Sequence, residues 1–328
     1  MNFFPCTLVY VDLDARPGPN ATNRDPLSYV NQAICLNNSL RQMGMPTLTI
    51  MSNAPAEVAR RLDSIAPEKR PSLMRLNATI ELSKDTPFYA AHFKLDLLDQ
   101  VAGALPADTM LLLLDTDMVA MRPLEQKLIG RCAEAGLGAF DISDQVFPAY
   151  GSEKVVADLE IVAGQRFRNP RWYGGEFLLG TPEALRRLVL RARSTYTRYV
   201  GEIDRLGHHG DEAFISATLN ALADEGQGIV EVGAYQAVGR HWPGNNYRDL
   251  RWFRACSFIH LPGGKALLEK EARSAGFVPQ RFWRRVQAAH LRGRARFALK
   301  WIARALGVER LVKRFACTVR RLKGQTMR

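Results

Sequence analysis

Met110-Leu111-Leu112-Leu113-Leu114-Asp115-Thr116-Asp117 is the stretch that decides the reading of this chain. An unbroken apolar run suits a strand covered on both faces, the environment at the centre of a parallel sheet. The run stops abruptly at Asp115. Upstream, residues 87–104 carry Phe88, Ala91, Leu95, Leu98 and Val101 at helical spacing. Before them, 76–82 is predicted as a strand, 55–65 as a helix opened by Pro55, 47–51 as a strand, and 29–43 as a helix stopped by Gly44. The first strand is placed at 7–11. It ends in Asp12-Leu13-Asp14 and runs into a loop rich in Pro, Gly and Asn at 16–26. Strands alternating with helices predict a doubly wound α/β sheet, mainly parallel and flanked by helices. Downstream, 138–142, 176–179, 229–235 and 256–260 read as strands, and 182–205 and 211–222 as helices.

Doubly wound sheets bind ligands at the carboxyl ends of their strands, where Asp12 and Asp115 are both placed. Two carboxylates at i and i+2 are costly there unless something positive joins them. A divalent cation together with a diphosphate meets that demand, since hard cations such as Mg²⁺ or Mn²⁺ prefer carboxylate oxygens and keep open positions for phosphate. The plainer alternative is a solvated turn. Of the two Asp-x-Asp pairs, the second has enough chain before it to build a nucleotide pocket. Asp115 and Asp117 are therefore the candidate metal ligands, and Asp12 is a candidate for the base or ribose.

The bulk composition fits a globular protein: 47% of its 328 residues are hydrophobic and 24% charged. The net charge of +12 is not evenly spread. Residues 275–328 hold fifteen Lys and Arg against the single acid Glu309, so residues 1–274 carry −2. A nearly neutral body argues against a nucleic-acid-binding domain. The five cysteines, at 6, 35, 132, 256 and 317, are scattered and form no CxxC pair, which argues against a zinc site or a disulfide framework. Reduced thiols and the lack of a leader or spanning segment predict a cytoplasmic protein.

Four stretches together resemble the GT-A-fold glycosyltransferases, over roughly residues 5–270. They are Phe88-Tyr89-Ala90-Ala91-His92-Phe93-Lys94, the Asp115-Thr116-Asp117 strand end, Trp172-Tyr173-Gly174-Gly175-Glu176, and His208-His209-Gly210-Asp211-Glu212 paired with Ile259-His260-Leu261-Pro262-Gly263-Gly264-Lys265. The pattern is similar to the retaining lipopolysaccharide galactosyl- and glucosyltransferase and glycogenin type, with features of the blood-group transferase type. The lipopolysaccharide type usually carries Asn-x-Gly where this chain has Gly174-Gly175, and its C-terminal Lys comes one residue later than Lys265.

The resemblance implies a GT-A, Rossmann-like sheet. It implies a cation, Mn²⁺ or Mg²⁺, on Asp115, Asp117 and His260. It implies a nucleotide-sugar donor, most simply a UDP-hexose, contacted by Tyr10, Asp12, Lys94, Asp115, Gly263 and Lys265. Glu176, Asp211 and Glu212 are the candidate catalytic carboxylates. The acceptor would be a glycan or glycolipid, such as lipopolysaccharide or capsule. Paired glycines allow close backbone approach to a ligand; a tight turn before an edge strand is the alternative for Gly174-Gly175.

Residues 1–274 are read as the transferase domain, 1–120 being its nucleotide half and 121–274 its sugar and acceptor half. Residues 275–328 form a basic tail in which Phe282, Val286, Ala289, Phe297, Ile302, Leu306, Leu311 and Phe315 alternate with Arg and Lys. This predicts an amphipathic helix, broken near Gly293 and Gly307, that lies on an anionic membrane surface. Packing on the main domain is the alternative. Two rivals compete for the whole. A nucleotidyltransferase should carry a dense Gly-rich basic loop after its first strand, and residues 12–26 offer only Arg16, Gly18 and Arg24. A membrane adaptor on an inactive transferase scaffold would not need Asp115, Asp117 and His260.

Overall fold

The computed structural model describes residues 2–12, 25–274 and 276–306. Asp14, Arg16, Gly18, Arg24, Gly307, Leu311, Phe315 and Cys317 lie outside the described residues. The chain opens with β1 (Asn2–Leu8), α1 (Ser28–Gln42), β2 (Thr49–Ser52), α2 (Pro55–Leu62) and β3 (Ser72–Arg75). Two helices, α3 (Tyr89–His92) and α4 (Lys94–Ala104), lead to β4 (Thr109–Leu114) and β5 (Met118–Ala120). Then come α5 (Gln126–Ala135), β6 (Leu137–Asp141), α6 (Ser143–Tyr150), α7 (Ser152–Ala163), β7 (Tyr173–Gly180), α8 (Pro182–Glu202) and α9 (Asp211–Asp224). The remainder is β8 (Ile229–Glu231), β9 (Val238–Arg240), α10 (Leu250–Ala255), β10 (Phe258–His260), α11 (Lys265–Ala272) and α12 (Pro279–Ala305).

Seven strands form one sheet in the order β3-β2-β1-β4-β7-β6-β8. All run parallel except β7, which is antiparallel to both β4 and β6. Leu111 to Leu114 are buried in β4, as an interior strand with helices on both faces requires. A three-stranded sheet, β5-β10-β9, grows from the end of β4. Its register pairs Met118 with His260, and the Leu261 amide donates to the Asp117 carbonyl at 2.9 Å. This small sheet brings a residue 143 positions downstream of Asp117 to its side.

Several predicted elements differ from those observed. The first strand starts at Asn2, not at 7, because Phe3, Phe4 and Pro5 pair with Met110, Leu111 and Leu112 of β4. Residues 76–82 are not a strand; β3 precedes them. The amides of Thr79 and Ile80 donate to the buried Asp96 carboxylate at 2.8 and 3.1 Å, so a side chain takes the place of a ladder. The helix over 87–104 is divided at Phe93, and its predicted opening is interrupted by Phe88, at φ 59°. Gly174 and Gly175 form no turn: they lie within β7, an interior strand.

The tail helix runs unbroken through Gly293. A Cβ there would stand 2.5 Å from the Pro243 carbonyl oxygen, so the glycine permits helix α12 to touch the 242–246 loop backbone to backbone. The first turns of α12 belong to the body. Phe282, Trp283 and Val286 are buried in the main core, and Arg281 and Arg285 pair with the buried Glu271. Cys6, Cys35, Cys132 and Cys256 are buried free thiols.

Candidate active site

The carboxyl edge of β4 carries a dense cluster of charged side chains. Lys94, the first residue of α4, is buried and uses all three of its protons. Nζ donates to Asp115 Oδ1 at 2.6 Å, to Asp211 Oδ2 at 2.7 Å and to the Gly175 carbonyl at 2.8 Å. Gly175 makes this possible, since a Cβ would lie 2.1 Å from Asp211 Oδ2. On the other side of the strand end, Asp117 Oδ1 sits 3.0 Å from His260 Nε2, and Asp117 Oδ2 sits 3.7 Å from Lys265 Nζ.

The two carboxyls of the Asp-x-Asp pair are held differently. Burial pushes Asp115 up, the Lys94 ammonium opposes it, and repulsion from Asp117 adds to the rise, which reaches about 6. Burial also acts to raise Asp117, but His260 and Lys265 outweigh it and hold the carboxyl down to about 2. Burial would lower His260, yet Asp117 and Glu176 on its two sides bring it up to about 10.

Behind this layer lies Glu176, fully buried in β7. His260 Nδ1 is 3.0 Å from its Oε1. Arg240, the last residue of β9, forks onto the same carboxylate, with Nε 2.7 Å from Oε1 and Nη2 2.6 Å from Oε2. Nη2 also donates to Glu212 Oε1 at 2.6 Å, while Trp172 Nε1 donates to Glu212 Oε2 at 2.9 Å. Asp211 and Glu212 stand in the first turn of α9, where the helix dipole favours negative charge.

Lys94, Asp115, Asp117, Glu176, Asp211, Glu212, His260 and Lys265 are thus one connected cluster. Lys265 opens α11, an unfavourable end for a cation, and is compensated by Asp117 and by the Tyr29 ring, 4.9 Å from Nζ. Gly263 lies in the turn between β10 and α11, against Trp242 and Pro243. Tyr10 and Asp12 share the sheet edge. Tyr10 stacks on Phe93 at 4.0 Å, and Asp12 pairs with Lys84 at 3.6 Å. Arg240 was not singled out in the sequence, because a lone Arg ending a three-residue strand carries no motif. Beside it opens a cavity of about 380 Å³ lined by Asp141, Arg171, Glu231, Tyr247, Arg248 and Trp252.

No protein-family model and no curated protein matches the sequence. Among solved structures, the chain is similar to the galactosyltransferase LgtC in complex with donor and acceptor sugar analogs. Identity is 11%, the TM-score is 0.50, and the match covers 87% of this chain and 100% of that one. The chain has the GT-A fold. A second similar structure is mouse xyloside xylosyltransferase 1 in its apo form, at 12% identity and a TM-score of 0.46 over 79% of this chain and 97% of that one.

Within the GT-A sheet, the donor set at the end of β4 fits a hard divalent cation. Asp115, Asp117 and His260 each offer one ligand atom, and these atoms lie within 4.8 Å of one another. Two carboxylate oxygens and one imidazole nitrogen leave further positions for oxygen ligands.

Proposed function

We propose that this chain is a metal-dependent glycosyltransferase that moves a hexose from a nucleotide-sugar, most simply a UDP-hexose, to a glycan or glycolipid acceptor with retention of configuration. The observation that carries the reading is the Asp115–Asp117–His260 donor set at the carboxyl edge of a GT-A sheet. Those three residues would hold Mn²⁺ or Mg²⁺. Such an ion, when bound, supplies Lewis-acid neutralisation of the departing diphosphate. Lys265 and Lys94 flank the donor set with positive charge. Glu212 keeps 29% of its side chain exposed and is the candidate to stabilise the cationic sugar centre. Asp211 anchors Lys94. The cavity beside Arg240 offers Trp252 and Tyr247 as apolar faces and carboxylates for hydroxyl groups, a lining suited to a sugar acceptor.

A panel of nucleotide-sugars incubated with Mn²⁺ and no acceptor tests the reading. One donor should be hydrolysed slowly, and chelation should stop it. Failure to turn over any donor with Mn²⁺ or Mg²⁺ would favour the inactive-scaffold alternative.

A second feature bears on where the acceptor lies. Beyond its buried first turns, α12 exposes Leu291 and Ile302, with Leu306 following at its C-cap, while Arg292, Arg296, Lys300 and Arg304 repeat every fourth residue along the same helix. No helix among the described residues is long and apolar enough to cross a membrane. Exposed apolar side chains on a helix that also carries a row of basic residues suit the surface of an anionic bilayer, and through it a lipid-linked acceptor. The double variant Leu291→Ser/Ile302→Ser should sediment with anionic vesicles at least tenfold less well, since each buried side chain contributes roughly 1.5–3 kcal/mol. Equal sedimentation of variant and parent would end the membrane reading.

A further inference from the structure

We propose that Glu176 and Arg240 are positioning residues for the cation: Glu176 sets the proton and the ring plane of His260, and Arg240 sets Glu176. The inference rests on the metal-dependent reading above. A neutral imidazole offers a lone pair from one nitrogen only, and the partner of the other nitrogen decides which. His260 Nε2 faces Asp117 Oδ1, and Nδ1 faces Glu176 Oε1, each at 3.0 Å. A carboxylate can only accept. Without a cation both nitrogens face carboxylates and both donate. A cation taken up by Asp117 would replace the Nε2 proton, while Nδ1–H stays on Glu176 and holds the ring with Nε2 toward the ion.

Glu176 has no exposed surface, and an ionised carboxylate there requires fixed countercharge. The Arg240 fork supplies it on both oxygens, and its planar geometry fixes the carboxylate's plane as well as its charge. Gly174 provides the room, because a Cβ would stand 2.0 Å from Glu176 Oε2 and 3.0 Å from Arg240 Nη2. Oε1 serves His260 and the Arg240 Nε, and Oε2 serves Arg240 Nη2. Neither oxygen is open to a sugar carbon. Glu176 therefore acts through His260 and not on the substrate.

The test is Mn²⁺ affinity, measured on the full chain from the free-ion signal in electron paramagnetic resonance, for the parent, Glu176→Gln, Arg240→Lys and Gly174→Ala. Thermal melts establish that each variant is folded. Glu176→Gln and Arg240→Lys should bind Mn²⁺ about 10–100-fold more weakly. Gly174→Ala, which alters no ligand, should also weaken binding by forcing the Glu176 carboxylate aside. Transfer rates of all three should return toward the parent value at saturating Mn²⁺. A Glu176→Gln variant with parental Mn²⁺ affinity and a lost rate that excess metal does not restore would overturn the proposal and make Glu176 a residue that meets the sugar. A parent chain that takes up no Mn²⁺ would overturn the metal reading too. Parental uptake with unchanged variants would overturn this proposal alone.

Discussion

Replacing Lys94 with methionine should destabilise the protein by about 3–5 kcal/mol, the cost of stranding buried charges whose partner has been removed. Methionine fills much of the lysine stem's volume but returns nothing to Asp115 Oδ1, Asp211 Oδ2 or the Gly175 carbonyl, all within 2.8 Å of Nζ. Asp115 already sits at about 6, pushed up by burial with Lys94 opposing. Without the ammonium its carboxyl would climb further. A group raised above its unfolded value favours the folded state while protonated and loses that contribution as pH rises through the folded value. The deficit of Lys94→Met should therefore be largest near pH 8 and shrink toward pH 5. Urea unfolding of parent and variant at the two pH values measures it. A deficit under about 1 kcal/mol, or one independent of pH, would show that Lys94 does not neutralise this edge.

Asp117→Asn should reduce sugar transfer by about three orders of magnitude or more, since the neutralisation that a bound cation supplies is worth several kcal/mol and each 1.36 kcal/mol is tenfold in rate. Asparagine keeps the shape, and the backbone bond from the Leu261 amide to the residue 117 carbonyl does not involve the side chain. What it loses is the negative charge on the oxygen beside His260 Nε2, one of the three donor atoms. Initial rates over a Mn²⁺ series, with a thermal melt to establish the fold, check the expectation. A variant retaining a tenth of the parental rate would remove Asp117 from the metal site.

Much of the fold was legible because the signals were local. The Met110–Leu114 run, Gly44 after the first helix and Pro55 opening the second each act within a few residues. The errors arose where distant residues decide. Phe3 to Pro5 are a strand because β4 waits beside them, and Thr79 and Ile80 are not, because Asp96 takes their amides. The cluster itself was assembled from stations far apart in sequence, and the structure joins them through hydrogen bonds. Arg240 remained hidden because its role is set by Glu176, 64 positions away, and by the room Gly174 leaves. The glycine pair carried a signal of close approach. Here what approaches is side-chain carboxylates, Glu176 at one glycine and Asp211 at the next.

The contact of Gly293 with Pro243 and Gly244 has a mechanical consequence. Two main chains meet there with no cushioning layer between them, so the rod of α12 cannot slip by a residue or roll against the loop. That loop follows Arg240 directly. The sheet edge with its acids is thereby held at one angle to the rod.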